Sequence, residues 1–596
     1  MNPLNAVIDI RENILHEGAL DRPRARVIRQ FVEALLFEQI IPYQYSDGHF
    51  EFVVGDTLYI AKGYVSGFGR IRTDETQMWQ STNSHYSPLN LTKLLTDLPI
   101  EQNSRQQLLL ELEQTVSLSQ WNMRHLPSRS HRRNLGYSAL ESAIDEGHPY
   151  HPCFKARTGF DYQAHAAYGP ECAQNFQLHW LAIKREFLAS ELNIEEPIFW
   201  QQELGLTTWQ VLLDSLAREG LSYDEYGFLP VHPWQRKALH RDLQEPIDQR
   251  FIVDLGAFGD RYQASISVRT LLNMSTPYKA HIKLPLNMVN TSSLRTVEPH
   301  SVTTAPALSK WLAQLIDDDN WYQEKQNLAV QQEYAGIVLT GNGSPHVHHQ
   351  WAERLAPSLS VIFRDSQPLN PPAASALPFV ALSLMENDDK PFIDPWIQRY
   401  GCEKWVARLL EVTVIPVWHL LVQHGIALEA HGQNMLLVHQ KGWPQKLVLR
   451  DFHESLEYVH SFLGQPELAP DFISLNSGYN YKVKDKFYWM SDVAALRELF
   501  VDTLFVYNLS ELAVLLQSQY QYQESIFWRQ VYNAFYDYQK VAQPWAERLS
   551  QVDLYQPHIQ TESLLTKKLS GQSEQEFHHQ IPNPLASLGK NRRFSC

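Results

Sequence analysis

Cysteine is scarce in this chain: four in 596 residues, Cys153, Cys172, Cys402 and Cys596. None stands in a CxxC pair, so neither a disulfide framework nor a thiolate zinc site is expected, and a reducing compartment fits. The opening MNPLNAVIDIRENILHEG has no basic start, apolar stretch or small-residue cleavage site of a secretory leader; the expected location is the cytoplasm. No long apolar run is free of polar groups. The richest, 412–428, carries Pro416, His419, Gln423 and His424 and reads as a buried helix, not a membrane span. The GxxxxGK[ST] and GxGxxG phosphate loops are absent, as is a GxSxG elbow. Basic charge is in deficit too, with 51 Lys and Arg against 66 Asp and Glu for a net charge of −15. Duplex nucleic acid and anionic membranes call for a broad basic face and are disfavoured as partners; small molecules are expected instead.

What is present is ordinary globular material, 44% hydrophobic with 16 Trp, 27 Tyr and 26 Phe, in a chain too long for one hydrophobic core. Val27, Ile28, Phe31, Val32, Leu35 and Leu36 fall at helical spacing, and EFVVGDTLYIAKGY then switches to strand-like runs. Residues 91–118 are helical again, and a polar loop suggests a boundary near 140. Short strands punctuated by Gly, Pro and Asn fill 141–385, up to the proline-rich QPLNPPAASALP. Helices dominate the rest, interrupted by one hairpin, and the last forty residues or so read as a wrapping or partly disordered tail. The expectation is an α+β multidomain chain: helix-rich 1–140, β-rich 141–385 and helical 386–596.

From Arg261 to Arg295 the sequence carries Arg261, Arg269, Lys279, Lys283 and Arg295 and no acid at all. Strand alternation would put Ser265, Ser267 and Arg269 on one face, and His281, Lys283 and Asn287 on another. Thr291, Ser292, Ser293 and Arg295 add hydroxyls and a guanidinium, which suit phosphate or carboxylate oxygens. Most surface Lys and Arg are merely solvated or paired, but the missing acids favour an anion pocket.

LEAHGQNMLLVHQKGWPQKLVLRDFHE, residues 428–454, reads as a hairpin with Asn434 entering one strand and Asp451 leaving the other. Antiparallel pairing brings both to one end, where an amide oxygen beside a carboxylate suits Mg²⁺ at nucleotide phosphates; kinases use a similar arrangement. Turn capping is the competing explanation for both residues. Glu429, His431 and Gln433 stand just before. GHPYHPCFKARTGF adds His148, His151, Lys155 and Arg157, better explained by anion binding than by metal. The loop GSPHVHHQ, with His346, His348 and His349, reads as solvated. HPWQ at 232–235 is either a site element or a turn with a packed indole.

GHPYHPCFKARTGF, LPVHPWQ, SVRTL, KLPLNMVNTSSLR, EAHGQN, RDF and NPL, in that order from 147 to 585, together resemble the NRPS-independent siderophore synthetases, the IucA/IucC family. The resemblance implies a cupped hand of thumb, fingers and palm, the palm holding nucleotide in a kinase-like way, and the thumb closing over the fingers to shield the reaction. It implies an ATP- and Mg²⁺-dependent ligase that adenylates citrate or a citryl derivative and condenses it with an amine or alcohol, releasing AMP and pyrophosphate. Family members are often dimers, so a homodimer is left open. By resemblance, Ser267, Arg269, Lys283, Thr291, Ser292 and Arg295 hold triphosphate and substrate carboxylate, joined by His151 and Lys155. His431, with Glu429, faces the carboxylate or adenylate and is the candidate to take the nucleophile's proton, with Arg295 and Lys283 as catalytic cations. Gln433, Asn434 and Asp451 form the Mg²⁺-nucleotide end, which Lys567 or Lys568 would also reach. Asn290 and Ser293 depart from the family's usual segment. The rival readings are a kinase-like phosphotransferase and a non-catalytic binder of anionic metabolites or ferric complexes.

Overall fold

A computed structural model describes residues 22–82, 85–127, 131–291, 293–341, 349–366, 375–480, 482–542, 546–571 and 575–590. The described residues begin with the helix Arg22–Phe37, which buries Val27, Ile28, Phe31, Val32, Leu35 and Leu36, the six residues at helical spacing. An antiparallel meander follows: β1 (Tyr43–Ser46), β2 (His49–Val54), β3 (Thr57–Val65), β4 (Ile71–Thr82) and β5 (His85–Pro88), paired in sequence order. The helices Leu91–Asp97 and Gln102–His125 complete this section, the first capped by Asn90, whose side chain accepts from the Lys93 N–H at 3.0 Å. The section therefore holds a five-stranded sheet beside its helices. The helix-rich reading undercounted strands such as β1, all of whose residues are exposed and show no alternation.

The middle section forms an eight-stranded sheet from β6 (Phe176–Lys184), β7 (Leu188–Glu191), β8 (Tyr226–Val231), β9 (Ile252–Ala264), β10 (Thr270–Asn273), β11 (His281–Lys283), β15 (Glu333–Leu339) and β16 (Ser360–Arg364). Its order is β7-β15-β16-β11-β10-β9-β6-β8, and one core cluster running from Leu178 to Phe363 lies against it. The helix Pro299–Asp318 packs on β15 so closely that a Cβ on Gly336 would collide with the Val302 carbonyl. A separate ribbon, β12 (Leu286–Asn290) and β13 (Ser293–Arg295), turns at Thr291, φ 65°.

The expected C-terminal hairpin is β19 (Met435–Gln440) and β20 (Trp443–Leu449). It sits in a four-stranded sheet completed by β14 (Leu328–Val330) and β17 (Ser375–Pro378), both from before residue 385. The larger core cluster likewise draws residues from Val27 to Ala156, from Leu308 to Leu328 and from Leu377 to Leu585. First and last sections are thus packed as one body. Cys402–His424 and Val493–Tyr520 are long and apolar enough to cross a membrane by composition, but 83% and 78% of their apolar windows are buried in the protein. Asp319 pins the first of these, its Oδ2 lying 3.2 Å from His419 Nε2 and 3.1 Å from His424 Nε2. The tail wraps back onto the first helix: the Glu38 carboxylate accepts from the Leu565 and Thr566 N–H groups at 2.8 and 2.7 Å and from the Tyr150 hydroxyl at 2.6 Å.

Arg450 donates to Glu141 at 2.6 Å, with both side chains buried, and so ties the helix Tyr137–Ala143 to the hairpin. Glu141→Gln leaves that guanidinium uncompensated and is expected to cost about 3–5 kcal/mol of stability. Denaturant midpoints at unchanged slope measure this; a loss under about 0.5 kcal/mol would show that the pair does not hold these elements together.

Candidate active site

Arg269 does not lie on a strand. β9 ends at Ala264 and β10 begins at Thr270, and 265–269 form a turn in which the Val268 N–H donates to the Ser265 carbonyl at 2.9 Å. Val268, β-branched, takes φ 69°, and Ser267 Oγ accepts from the Thr270 N–H at 3.1 Å. The expected alternation of Ser265, Ser267 and Arg269 is therefore replaced by a turn. Asn287 leaves the site for Gln235, 2.8 Å away. Lys279 pairs with Asp260 at 2.9 Å and Arg261 donates to the Asn175 carbonyl, and neither reaches the cavity described next.

A cavity of about 540 Å³ is lined by His151, Lys155, Ser267, Arg269, Lys283, Thr291 and Arg295 from the middle section. Glu429, His431, Gln433, Asn434 and Asp451 line it from the last section. Ser292 lies outside the described residues, as do His346 and His348; His349 is described and stacks edge-on with Phe187 and Phe251. No described residue before Ile144 lines the cavity.

Asp451, φ 63°, is the hub: its Oδ1 lies 2.7 Å from Arg364 Nη1 and 3.3 Å from Lys283 Nζ. Burial works to raise this carboxyl, but the Arg364, Lys283 and Arg450 charges outweigh it and hold it well below the usual range. Arg269 Nη1 donates to the Thr296 carbonyl at 2.8 Å. Arg295 Nη2 donates to the Asn290 carbonyl at 2.9 Å, while its Nε has no partner. Burial, then the Arg269 charge, pushes Arg295 down to about 10, so it stays cationic at neutral pH. Lys155 is committed elsewhere: it pairs with Glu171 at 3.1 Å and donates to the Asp145 carbonyl at 2.6 Å. Arg157 also pairs with Glu171, at 3.0 Å. The expected anion cluster at 148–157 is thus largely neutralised from within.

His151 is the exception. Its Nδ1 accepts from the Cys153 N–H at 3.1 Å, which puts the ring proton on Nε2, and Nε2 is buried without a partner. Burial, with Lys568 and His148 nearby, keeps the ring neutral. The same logic applies to His431, whose Nδ1 accepts from the Gln433 N–H at 3.1 Å and whose Nε2 faces Glu429 Oε1 at 3.7 Å. With Nδ1 accepting, the proton lies on His431 Nε2, which makes it a donor poorly arranged as a base; Glu429, held by Ser455 Oγ at 2.8 Å, is the better acceptor. Asn434 Nδ2 donates to the Glu429 carbonyl at 3.1 Å, turning its amide oxygen away from that contact. Lys567 lines the cavity, 3.5 Å from Glu562, whereas Lys568 is taken by Glu111 and the Thr291 carbonyl.

The sequence reading missed Arg364, the buried pair of Glu333 and His453 at 2.9 Å, and Glu454, a cavity residue at φ 59° that accepts from Ser301 Oγ at 3.0 Å. The string RDFHE offered a signal for 453 and 454; nothing local pointed to Arg364. The left-handed backbone of Val268, Thr291, Asp451 and Glu454 concentrates strain around one cavity, a distribution typical of functional sites. HPWQ is structural: His232 Nδ1 caps the Trp234 N–H and Gln235 bonds Asn287 and the Ser358 carbonyl.

A strained cavity lined by both cations and carboxylates is that of an enzyme handling small charged molecules. Residues 136–384 match the IucA / IucC family, and 403–577 match the ferric iron reductase FhuF-like transporter family; no cysteine falls within 403–577 to offer a thiolate to iron. The chain is 32% identical to the citryl-spermidine/3,4-dihydroxybenzoyl-citryl-spermidine:spermidine ligase of Bacillus anthracis, over 94% of this chain and 93% of that one. It is 29% identical to the 2-[(L-alanin-3-ylcarbamoyl)methyl]-3-(2-aminoethylcarbamoyl)-2-hydroxypropanoate synthase of Staphylococcus aureus (strain NCTC 8325 / PS 47), covering 98% and 96%. The crystal structure of petrobactin biosynthesis protein AsbB from Bacillus anthracis str. Sterne superposes with a TM-score of 0.88 at 30% identity, over 96% of this chain and 97% of that one. The chain belongs to the IucA/IucC family of siderophore-synthesising ligases.

Proposed function

We propose that this cavity condenses a citrate-like carboxylate with an amine at the expense of ATP, as a step in siderophore assembly. The observation that carries the reading is the meeting of two distant segments, the acid-free basic stretch and the Asn434–Asp451 hairpin end, on one cavity, joined where Lys283 Nζ approaches Asp451 Oδ1 to 3.3 Å. Citrate and ATP together carry roughly seven negative charges at neutral pH, so they can meet only where cations offset their repulsion. Arg269, Lys283 and Arg295 supply that offset. Ser267, Thr291 and the His151 Nε2–H add neutral donors for phosphate or carboxylate oxygens. The B. anthracis relative is named for citryl and spermidine substrates, in line with this chemistry.

The amide oxygen of Asn434 and the carboxylates of Asp451 and Glu454 are the hard oxygen donors that Mg²⁺ favours, and they fit it with the restriction that Asp451 Oδ1 is already shared by two cations. Bound there, the ion would neutralise phosphate charge. In the first step a carboxylate oxygen attacks the α-phosphorus and pyrophosphate leaves. In the second, the amine lone pair forms the C–N bond, the carbonyl carbon's bond to the AMP oxygen breaks with its electrons staying on AMP, and Glu429 takes the ammonium proton. His431 Nε2–H orients Glu429. The cupped-hand description, with thumb, fingers and palm divided near 140 and 385, belongs to the same proposal. Its test is product analysis with citrate, ATP and an amine: AMP and pyrophosphate are expected in equal amounts with the amide, and ADP as product would overturn the reading in favour of a phosphotransferase.

A further inference from the structure

Away from the cavity, Asp319, His419 and His424 each bring one ligand-capable atom to within 4.8 Å of one another, and none of the three lines the cavity. Asp319 stands between two helices. Its Oδ1 caps the second, Asn320–Lys325, accepting from the Trp321 and Tyr322 N–H groups at 2.8 and 3.0 Å. That leaves Oδ2 to the histidines, 3.2 Å from His419 Nε2 and 3.1 Å from His424 Nε2. The two rings meet there through a change of helix type: Cys402–His419 is α-helical and Leu420–His424 is π-helical. In a continued α-helix a residue five positions on would point about 140° away. The i→i+5 turn instead brings the fifth residue back over the first, and such turns gather at functional sites.

The spacing is that of ligands around one ion. Zn²⁺ lies about 2.0–2.2 Å from imidazole nitrogen and carboxylate oxygen, which sets neighbouring ligand atoms roughly 3.0–3.4 Å apart. Both Nε2–Oδ2 separations fall in that range. The surroundings hold the ligands in place as well. His419 stacks on Trp321 with ring centroids 4.4 Å apart, and its Nδ1 lies 2.6 Å from the Tyr538 hydroxyl. A hydroxyl accepts as readily as it donates, so Tyr538 can receive the ring proton on Nδ1 when Nε2 gives its lone pair to an ion. Without an ion, two Nε2–H donors to Oδ2 keep the three atoms in position. His419 and His424 are 3% and 5% exposed, whereas the adjoining Asp317 and Asp318 are exposed and draw cations toward the partly open Asp319.

We propose that Asp319, His419 and His424 bind one divalent ion of the zinc and iron(II) class, at a site separate from the catalytic cavity. Imidazole suits these ions, whereas Mg²⁺ prefers oxygen ligands and waters. Two histidines and one carboxylate leave further positions for water. The ion ties the end of the helix Pro299–Asp318 to the apolar helix Cys402–His424, a short way before the chain enters the cavity at Glu429. Its expected effect is on stability, and it stands independently of the ligase reading.

The test strips the full chain with EDTA and titrates it with Zn²⁺, anaerobic Fe²⁺ and Co²⁺, with Mg²⁺ in excess and no ATP. One Zn²⁺ per chain is expected to bind and to raise the thermal midpoint, and Co²⁺ is expected to show visible d–d bands in the same place. His424→Ala and Asp319→Asn are each expected to weaken Zn²⁺ binding by about 100-fold or more, since even partners outside the ligand set are worth about 10- to 100-fold. Tyr538→Phe keeps all three ligands and is expected to cost about tenfold. His424→Cys is expected to retain Co²⁺ and to add a thiolate-to-cobalt charge-transfer band, which places the ion at that position even if the alanine variant does not fold. The double variant His346→Ala and His348→Ala is expected to keep the ion. No Zn²⁺ or Fe²⁺ bound at micromolar concentration would overturn the proposal, as would loss of the ion in the double variant or unchanged affinity in folded His424→Ala and Asp319→Asn.

Discussion

Asp451→Asn is expected to abolish citrate-dependent ATP turnover, with a fall of about 1,000-fold or more, and to destabilise the protein by about 3–5 kcal/mol. Both effects follow from its position. One carboxylate oxygen holds Arg364 at 2.7 Å and Lys283 at 3.3 Å, all three side chains buried. The amide keeps the shape and removes the charge, leaving two cations facing each other in a poorly solvated wall. The two effects separate in a double variant: Asp451→Asn with Lys283→Met removes one of the stranded cations and is expected to recover part of the stability and none of the activity. Recovery of turnover in that variant would sink the assignment of Asp451 to the catalytic cavity. The pH dependence has a definite sign. The Asp451 carboxyl lies well below its unfolded value of about 3.9, so its contribution is complete above that pH and is lost as pH falls through the lower, folded value.

Arg295→Ala should separate activity from stability in the other direction. The guanidinium makes one backbone hydrogen bond, from Nη2 to the Asn290 carbonyl, and Nε makes none, so its loss should cost no more than about 1–1.5 kcal/mol. Turnover should nonetheless fall by about 100- to 1,000-fold, because a planar fork aimed into the cavity is the best group there for binding a carboxylate or phosphate in two places. Arg295→Lys restores charge without the fork and should recover less than about a tenth of the activity. A rise in KM for citrate exceeding that for ATP would assign the residue to the carboxylate. Unchanged turnover in Arg295→Ala would remove it from the site.

The hairpin end was legible because its geometry is local: Asn434 and Asp451 flank two apolar runs joined by a tight turn, and antiparallel pairing then fixes their proximity. The first helix was legible for the same reason. Arg269 reached the cavity by a route that alternation does not describe, since a turn held by Ser265 and Ser267 presents it. Arg364 was missed because it meets Asp451 across 87 residues, and Glu333 meets His453 across 120; pairs so distant leave no periodic trace. Four acids at the cavity were hidden most completely, because Glu457 lies on a short strand, Asp502 on a π-helical stretch, and Glu562 and Glu576 on two parts of the tail. Lys155 misled in the opposite sense, its local company of His148, His151 and Arg157 concealing a private partner at Glu171.

The clasp between Glu38 and the Thr566 backbone spans 528 residues, and the large core shares its packing between the two ends of the polypeptide. During translation the helix Arg22–Phe37 can pack on β4 and on the helix Gln102–His125 as its own section emerges, but the Glu38 carboxylate must wait for the Leu565 and Thr566 amides, made 527 and 528 residues later. Chains ending before Leu565 therefore leave the buried Glu38 carboxylate without two of its donors and should be less stable than chains that include it.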